Sequence, residues 1–172
     1  MSPAGPRPPR RVTVLNRQRL LRLDRGQVVA LAEMVLDMQG AAPGQGVALM
    51  FARDPVVRDY NRRYLRCDNP TDVISFPAGA TPGGVIDGDS VGDVIISVDQ
   101  ARQYACAHEV ATDEEAARYI VHGILHCLGY DDTTPAARRA MTRRQEELLR
   151  AYLQTGGRVL RAAPSNSRSR SR

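Results

Sequence analysis

The sequence predicts an α/β to α+β fold: a single compact domain with a mixed sheet of about four strands and helices packed on it. Three observations support this prediction. Segments with apolar residues at helical spacing alternate with short apolar segments rich in β-branched residues. Glycine and proline separate most of these segments. The length of 172 residues is sufficient for one domain with a buried core and short tails.

The predicted strands are short apolar segments. They cover residues 12–15, 46–52, 71–77 and 91–98. The third is rich in β-branched residues and ends at Pro77. Residues 78–90, with several glycines and two aspartates, are predicted to form a loop.

Five helices are predicted, and the one that contains His122 and His126 lies in the C-terminal half. The first covers 27–38 and is closed by Gly40. The second covers about 54–64, with Asp54 as its N-cap and Pro55 at its first position. A short helix from Asp99, a helix that contains His122, and a helix over 135–153 follow the last strand. Because these three come last, the helices are expected to cluster on one side of the sheet.

The charge is unevenly distributed along the chain, whose net charge is +5. Residues 1–26 carry seven arginines and one aspartate, and residues 156–172 carry five arginines and no acid, so the centre is acidic. The sequence has no lysine, so its permanently charged basic residues are all arginines, whose guanidinium can bind phosphate with two hydrogen bonds. The ends therefore suggest a phosphate-containing partner. Residues 1–10 are predicted as a disordered leader, 11–155 as the folded domain and 156–172 as a disordered Arg/Ser-rich tail.

The sequence contains no apolar run long enough for a membrane span and no signal peptide at its N-terminus. A cytoplasmic location without membrane contact is therefore expected. Three cysteines cannot all pair with one another, which also suits a reducing compartment.

The segment VHGILHCLGYDD, residues 121–132, carries a pattern typical of a metal site. His122 and His126 are four residues apart and lie on one face of the predicted helix. A turn at Gly129 can bring Asp131 or Asp132 over both imidazoles. Two histidines and one carboxylate, with a fourth position open, are typical of a catalytic zinc site. The alternative is a packed histidine pair without a metal.

Other residues of this segment and of the preceding loop argue against a peptidase, a cysteine ligand and a calcium site. Gly123 stands where peptidases with the H-E-x-x-H signature have their general base, which disfavours a peptidase. Cys127 lies about 100° around the helix from His126, so it is predicted to pack rather than to bind metal. The loop carboxylates lack the spacing of a calcium site and are interpreted as solvating or capping groups; they are Asp87, Asp89 and Asp93.

A row of arginines lies on or just after the second predicted helix: Arg58, Arg62, Arg63 and Arg66. A spacing of four places all of them except Arg63 on one face. Such a row suits the backbone of RNA or DNA. It is equally consistent with a solvated face that pairs with Asp54 and Asp59.

Aromatic residues are scarce, with no Trp, two Phe and six Tyr. Only Tyr60 and Tyr64 lie among arginines, and their spacing of four in a predicted helix favours packing in the core. The sequence therefore shows no pattern for sequence-specific recognition of RNA bases.

Several motifs follow one another in a specific order. They are NRRY at 61–64, DNPTDVISFP at 68–77, GDV at 92–94, HGILHCLGYDD at 122–132, and Met141 with Glu146. In this order and approximate spacing, over about residues 46–153, the chain resembles the YbeY family of rRNA-maturation endoribonucleases.

The resemblance implies a compact α/β fold and one zinc ion held by His122, His126 and Asp132. It implies metal-dependent cleavage of single-stranded RNA, with ribosomal RNA as substrate and the small ribosomal subunit as partner. The expected roles are 3′-end maturation of small-subunit rRNA and ribosome quality control. In the family a histidine usually stands in place of Asp132. The carboxylate puts a negative charge on the metal, so a weaker Lewis acid is expected.

The candidate phosphate-binding arginine also departs from the family. Its arginine usually follows the tyrosine directly, whereas Leu65 follows Tyr64 here. Arg66 or Arg63 is therefore expected to neutralise charge that develops at phosphorus. Asp131 is expected to orient the turn rather than to bind metal. The nucleophile is left open between a water on the metal and the substrate 2′-hydroxyl.

Three alternatives remain at this stage. The first is a metal-dependent hydrolase of another class, such as a peptidase or amidase, and Gly123 argues against it. The second is a non-catalytic ribosome-assembly factor with a structural zinc. The third is an iron oxygenase with two histidines and a carboxylate, for which no oxygen or co-substrate pocket is visible. The oligomeric state is not predicted.

Overall fold

The computed structural model describes residues 12–80 and 89–162. The elements in this part of the chain are β1 (Val12–Asn16), α1 (Arg25–Met38), β2 (Gly46–Ala52), α2 (Asp54–Leu65), β3 (Val73–Pro77), β4 (Ser90–Ser97), α3 (Val98–His108), α4 (Thr112–Cys127) and α5 (Pro135–Gln154). The predicted α/β class is confirmed. Among the described helices, none combines the length and apolar character that crossing a bilayer requires.

The four strands form one mixed sheet in the order β1-β2-β4-β3. β1 pairs with β2 and β2 pairs with β4 in parallel, whereas β3 pairs with β4 in antiparallel orientation. β3 therefore lies at one edge of the sheet, where the register places Phe76 opposite Asp93. This edge supports the helix that carries the two candidate metal ligands.

Both faces of the sheet are covered by helices, but unequally. From β2, Leu49 and Phe51 enter a large apolar cluster to which α1, α3, α4 and α5 contribute buried residues. The alternate residue Met50 joins a smaller cluster with Val57 of α2 and Ile95 of β4. The expectation that the helices cluster on one side is therefore wrong for α2. This helix lies on the opposite face because Met50 and Ile95 also need apolar cover there.

The start of α2 differs from the prediction. Arg53 is the N-cap and Asp54 is the first helical residue. The carboxylate of Asp99 caps this end, since it accepts a hydrogen bond of 2.8 Å from the Asp54 amide. The Asp54 carboxylate instead accepts hydrogen bonds from the Ser97 hydroxyl and from Nε2 of Gln100. It therefore joins α2 to α3 rather than starting its own helix.

The folded domain extends further towards the C-terminus than predicted. Val159 is fully buried, and Leu160 forms an antiparallel bridge with Leu23. The Val159 carbonyl accepts a hydrogen bond of 2.7 Å from the Asp24 amide. The prediction of a disordered tail from residue 156 is therefore wrong for 156–161, because two apolar side chains fix this segment on the domain. The predicted leader 1–10 and the rest of the predicted tail, 163–172, lie outside the described residues.

Candidate metal centre

The helix α4 lies very close to the sheet at Gly123. A Cβ atom added there would lie 2.2 Å from Cγ1 of Val94 and 3.1 Å from Cγ1 of Val73. The Ser75 hydroxyl donates a hydrogen bond of 3.1 Å to the Gly123 carbonyl. A glutamate at this position would point into the sheet, so it could not act as a general base at the histidines. This glycine therefore has a packing function, which supports the argument against a peptidase.

The C-terminus of α4 is a Schellman turn built on Gly129, whose φ is +93°. The Gly129 amide donates to the His126 carbonyl and the Tyr130 amide donates to the Leu125 carbonyl, both over 3.0 Å. The predicted turn at Gly129 is confirmed. The turn also brings the Tyr130 carbonyl to 3.0 Å from Nδ1 of His126.

The two imidazoles are held in orientations that suit a metal ion. A carbonyl oxygen can only accept, so Nδ1 of His126 carries the hydrogen in its contact with Tyr130. Nδ1 of His122 lies 2.9 Å from Oε1 of Gln145, another acceptor. Both Nε2 atoms then present lone pairs, and they lie 3.0 Å apart. Two facing lone pairs repel each other, and a cation between them removes this repulsion.

The separation of the two nitrogens also fits zinc. Tetrahedral zinc with bonds of about 2.0–2.1 Å to nitrogen places two ligand nitrogens about 3.3 Å apart. The observed 3.0 Å between the Nε2 atoms of His122 and His126 is close to this value. A carboxylate oxygen of Asp132 lies 3.9 Å from Nε2 of His126. Within the described part of the chain, these three side chains form the one group of close potential metal ligands.

The two aspartates of the turn have different environments. The Asp131 carboxylate accepts hydrogen bonds from the Thr133 hydroxyl and from the Thr133 amide, and these lower the pKa of Asp131. Its predicted function in the turn is confirmed. The Asp132 side chain is 44% exposed and lies on the side of the turn that faces His126. Its carbonyl accepts hydrogen bonds from the guanidinium of Arg138, which fixes the backbone of the turn.

Three of the four predicted RNA-binding arginines are paired with carboxylates. Arg58 forms two hydrogen bonds of 2.9 Å with Asp68. Arg62 and Arg63 both pair with Asp59, at 2.9 and 3.0 Å. All three side chains are at least half exposed. These pairs match the alternative interpretation, a solvated face whose arginines pair with nearby carboxylates. The carboxylates are those of Asp59 and Asp68, whereas the sequence suggests Asp54 and Asp59.

Arg66 differs from these three. It follows the end of α2 in a left-handed conformation, with φ of 55°, and its amide donates to the Asn61 carbonyl. It therefore does not continue the helical row as predicted, because the helix has ended one residue before it. Within the described residues its guanidinium forms no ion pair.

The prediction that both helix tyrosines pack in the core is wrong for Tyr64. Its side chain is 45% exposed, and its ring meets Phe76 edge-on with 5.8 Å between ring centroids. Leu65 is also exposed, because the last turn of α2 extends beyond the apolar cluster. Tyr60 is half-buried and packs, as predicted, against the smaller apolar cluster between α2 and the sheet.

Cys127 packs between the end of α4 and the sheet. Its sulfur lies 3.9 Å from the Phe76 carbonyl oxygen and 3.8 Å from the Asp93 carbonyl oxygen. The predicted packing function is confirmed. Burial raises the pKa of the Cys127 thiol to about 12.

We expect two of the three thiols to react quickly in the native protein at pH 7. Cys67 and Cys106 are exposed, whereas Cys127 is buried. A pKa of about 12 leaves a thiolate fraction of about 10⁻⁵ at this pH. Titration with a chromogenic disulfide, with and without guanidinium chloride, measures the rapidly reacting thiols in each state. Fast reaction of all three in the native protein would contradict this expectation.

The prediction from sequence does not include Gln145, which holds His122. Gln145 is 8% exposed and lies on the apolar face of α5, four residues after the buried Met141 and four before the buried Leu149. A polar side chain at a core position of an amphipathic helix is the signal that could have identified it. On the side away from the histidines, Gln145 donates a hydrogen bond to Glu146, and Glu146 also accepts one from Arg118.

Most of the chain matches the model of a known protein family. The family model described as endoribonuclease YbeY matches residues 13–153. The chain belongs to this family. The resemblance of the YbeY motifs is thereby confirmed, and the matched region contains all three candidate ligands.

Individual relatives agree with this assignment. An endoribonuclease YbeY from Anaeromyxobacter sp. (strain Fw109-5) is 37% identical over 121 residues, which are 70% of this chain and 62% of that protein. One from Pelotomaculum thermopropionicum is 36% identical over 126 residues, which are 72% of this chain and 83% of that protein. The alignment thus spans less than two thirds of the Anaeromyxobacter relative.

A solved structure supports the fold. The solution structure of TM1509 from Thermotoga maritima matches with a TM-score of 0.59 at 18% identity. The match covers 85% of this chain and 92% of that protein. At this identity the comparison establishes the similarity of fold alone.

Proposed function

We propose that this protein is a zinc-dependent endoribonuclease specific for single strands that acts in ribosomal RNA processing. One observation carries the proposal: two imidazole lone pairs face each other at 3.0 Å beside a half-exposed carboxylate. The protein belongs to a family whose members named above are endoribonucleases. RNA is the substrate class that this name indicates.

His122, His126 and Asp132 are the residues that would hold one zinc ion. Two imidazole nitrogens and one carboxylate oxygen suit zinc, and partial exposure leaves a fourth position for substrate. When bound, zinc supplies a Lewis acid that polarises a water or a phosphate oxygen. The carboxylate of Asp132 reduces the net charge of the loaded centre from +2 to +1, so this Lewis acid is weaker than one held by three histidines.

An arginine from residues 62–66 would neutralise charge at phosphorus. Arg66 is favoured over Arg63, because Arg63 already pairs with Asp59 whereas Arg66 has no carboxylate partner among the described residues. Arg58 and Arg62 would extend the RNA-binding surface. Their ion pairs are exposed to solvent and therefore weak, so phosphate groups can replace the carboxylates.

The proposed cellular role is 3′-end maturation of small-subunit rRNA together with ribosome quality control. The partner would be the small ribosomal subunit, and the location would be the cytoplasm. The family match supports the endoribonuclease activity on which this role depends. The arginine-rich composition, without lysine, also suits a phosphate-rich partner.

The direct test is cleavage of a single-stranded RNA that corresponds to the 3′ end of small-subunit rRNA. We expect cleavage to be lost after removal of metal by a chelator and restored by an equimolar amount of zinc. Magnesium should not restore it, because imidazole nitrogens are poor ligands for magnesium. A duplex of the same sequence is the control and should remain intact. Gel analysis of end-labelled RNA measures each result.

Other outcomes would favour other functions. Zinc-loaded protein that binds small subunits but never cleaves RNA would support an assembly factor with a structural zinc. Cleavage of a peptide library under the same conditions would support a hydrolase of another class. The position of Gly123 against the sheet argues against that outcome.

A further inference from the structure

His122 is connected to a polar network on α5 that begins at the buried side chain of Gln145. Its Nδ1 atom lies 2.9 Å from Oε1 of Gln145, and Nε2 of Gln145 donates a hydrogen bond of 3.0 Å to Oε1 of Glu146. Gln145 is only 8% exposed. A buried amide with both ends hydrogen-bonded cannot rotate without losing both contacts.

Glu146 is in turn held by Arg118 of α4. The Arg118 Nε atom donates to Oε1 of Glu146 over 2.8 Å, and its Nη2 atom lies 3.3 Å from Oε2. The same guanidinium pairs with Glu114 and with the buried Glu115. Burial alone would raise the pKa of Glu146, but hydrogen bonds from Arg118 and Gln145 outweigh it and lower this pKa. Glu146 is therefore ionised.

The ionised carboxylate determines which end of the Gln145 amide faces the histidine. A carboxylate only accepts hydrogen bonds, so it requires the amide NH₂ group on its side. The amide oxygen must then face His122, which places the imidazole hydrogen on Nδ1 and the lone pair on Nε2. A rotated amide would favour hydrogen on Nε2, the atom that lies 3.0 Å from His126. That tautomer cannot bind a metal at Nε2.

We infer that Glu146, oriented by Arg118, sets the orientation of the Gln145 amide and thereby keeps His122 in its metal-binding tautomer. Gln145 and Glu146 are positioning residues, because they act on the metal through His122. This inference rests on the metal site proposed above.

The test uses full-length variants of two neighbouring carboxylates. Glu146→Gln keeps the shape but introduces a donor that competes with the Gln145 NH₂ group. Glu147→Gln is the matched control, because Glu147 is the next residue on α5, is exposed and pairs with Arg144 rather than with Gln145 or Arg118. Long-range ¹H–¹⁵N NMR spectra of the metal-free proteins report the imidazole tautomers. Competition with a chelator measures zinc affinity.

We expect the wild-type protein and Glu147→Gln to have His122 with its hydrogen on Nδ1. Glu146→Gln should contain a mixture of tautomers and bind zinc about 10- to 100-fold more weakly. Gln145→Leu should show the same loss, whereas Gln145→Glu should retain the Nδ1 tautomer because it keeps an acceptor at His122.

Unchanged tautomer and zinc affinity in Glu146→Gln would overturn the inference, as would the same result in Gln145→Leu or a wild-type His122 with hydrogen on Nε2. If Glu146→Gln fails to fold, an unchanged tautomer in Gln145→Leu still overturns the inference, since Glu146 acts on His122 through Gln145 and this variant leaves the pair of Arg118 and Glu146 intact. The tautomer is measured without metal or RNA. A protein that never cleaves RNA would therefore refute the proposed function and leave this test unaffected.

Discussion

Replacement of His126 by alanine is expected to abolish zinc binding and to reduce RNA cleavage at least about 10³-fold, since a bound metal supplies several kcal/mol to such a reaction. The variant would leave only His122 and Asp132 as ligands. It should fold normally, because His126 is partly exposed and its removal eliminates the repulsion between two lone pairs 3.0 Å apart. Metal content after dialysis, circular dichroism and single-turnover cleavage measure the three effects.

The two aspartates of the following turn provide a matched pair of variants. Asp132→Ala should lose zinc and activity, because it removes the third donor. Asp131→Ala should retain both, since Asp131 bonds to Thr133 and serves the turn. If Asp132→Ala binds zinc and cleaves RNA at the wild-type rate, the assignment of the third ligand is wrong.

Substitution of Gly123 should have the largest effect on stability. We expect Gly123→Ala to reduce the free energy of unfolding by about 1–3 kcal/mol, because its Cβ would lie 2.2 Å from Cγ1 of Val94. Gly123→Glu also buries a carboxylate against apolar atoms, so it should leave the chain largely unfolded. This variant would create a peptidase-like H-E-x-x-H sequence, but we expect it to have no peptidase activity.

Chemical denaturation of the metal-free proteins, followed by circular dichroism, measures these differences. Gly26→Ala is the control, since the added Cβ meets its nearest atom only at an ordinary 3.5 Å. In the helix α1 this exchange should be neutral or stabilising by up to about 1 kcal/mol. A Gly123→Ala variant as stable as the wild type would show that α4 and the sheet can separate at little cost.

Local features could be predicted from the sequence because their signals lie within a few residues. The helix pair His122 and His126 follows from a spacing of four, and the turn follows from Gly129. The strand β2 was predicted with the observed bounds, because both its faces are covered and it is apolar throughout. The family resemblance also depended on short motifs.

Features that depend on packing between distant segments could not be predicted. The face of the sheet that α2 covers depends on Met50 and Ile95, which come together only in the sheet. The segment around Val159 is buried by pairing with residues about 135 positions earlier. Gln145 lies 23 positions from His122, and their contact depends on how α5 packs on α4.

The close approach of α4 to the sheet at Gly123 fixes the two histidines more firmly than the carboxylate of Asp132. Two donors belong to a rigid unit, since the helix that carries them is fixed against Val94. The proposed third donor, Asp132, is a half-exposed side chain on the short connection between α4 and α5. Its chemical identity can therefore change without repacking the interior. In the proposed zinc centre, a single substitution at this position would change the electrical charge, and with it the strength of the Lewis acid, while the framework stays constant.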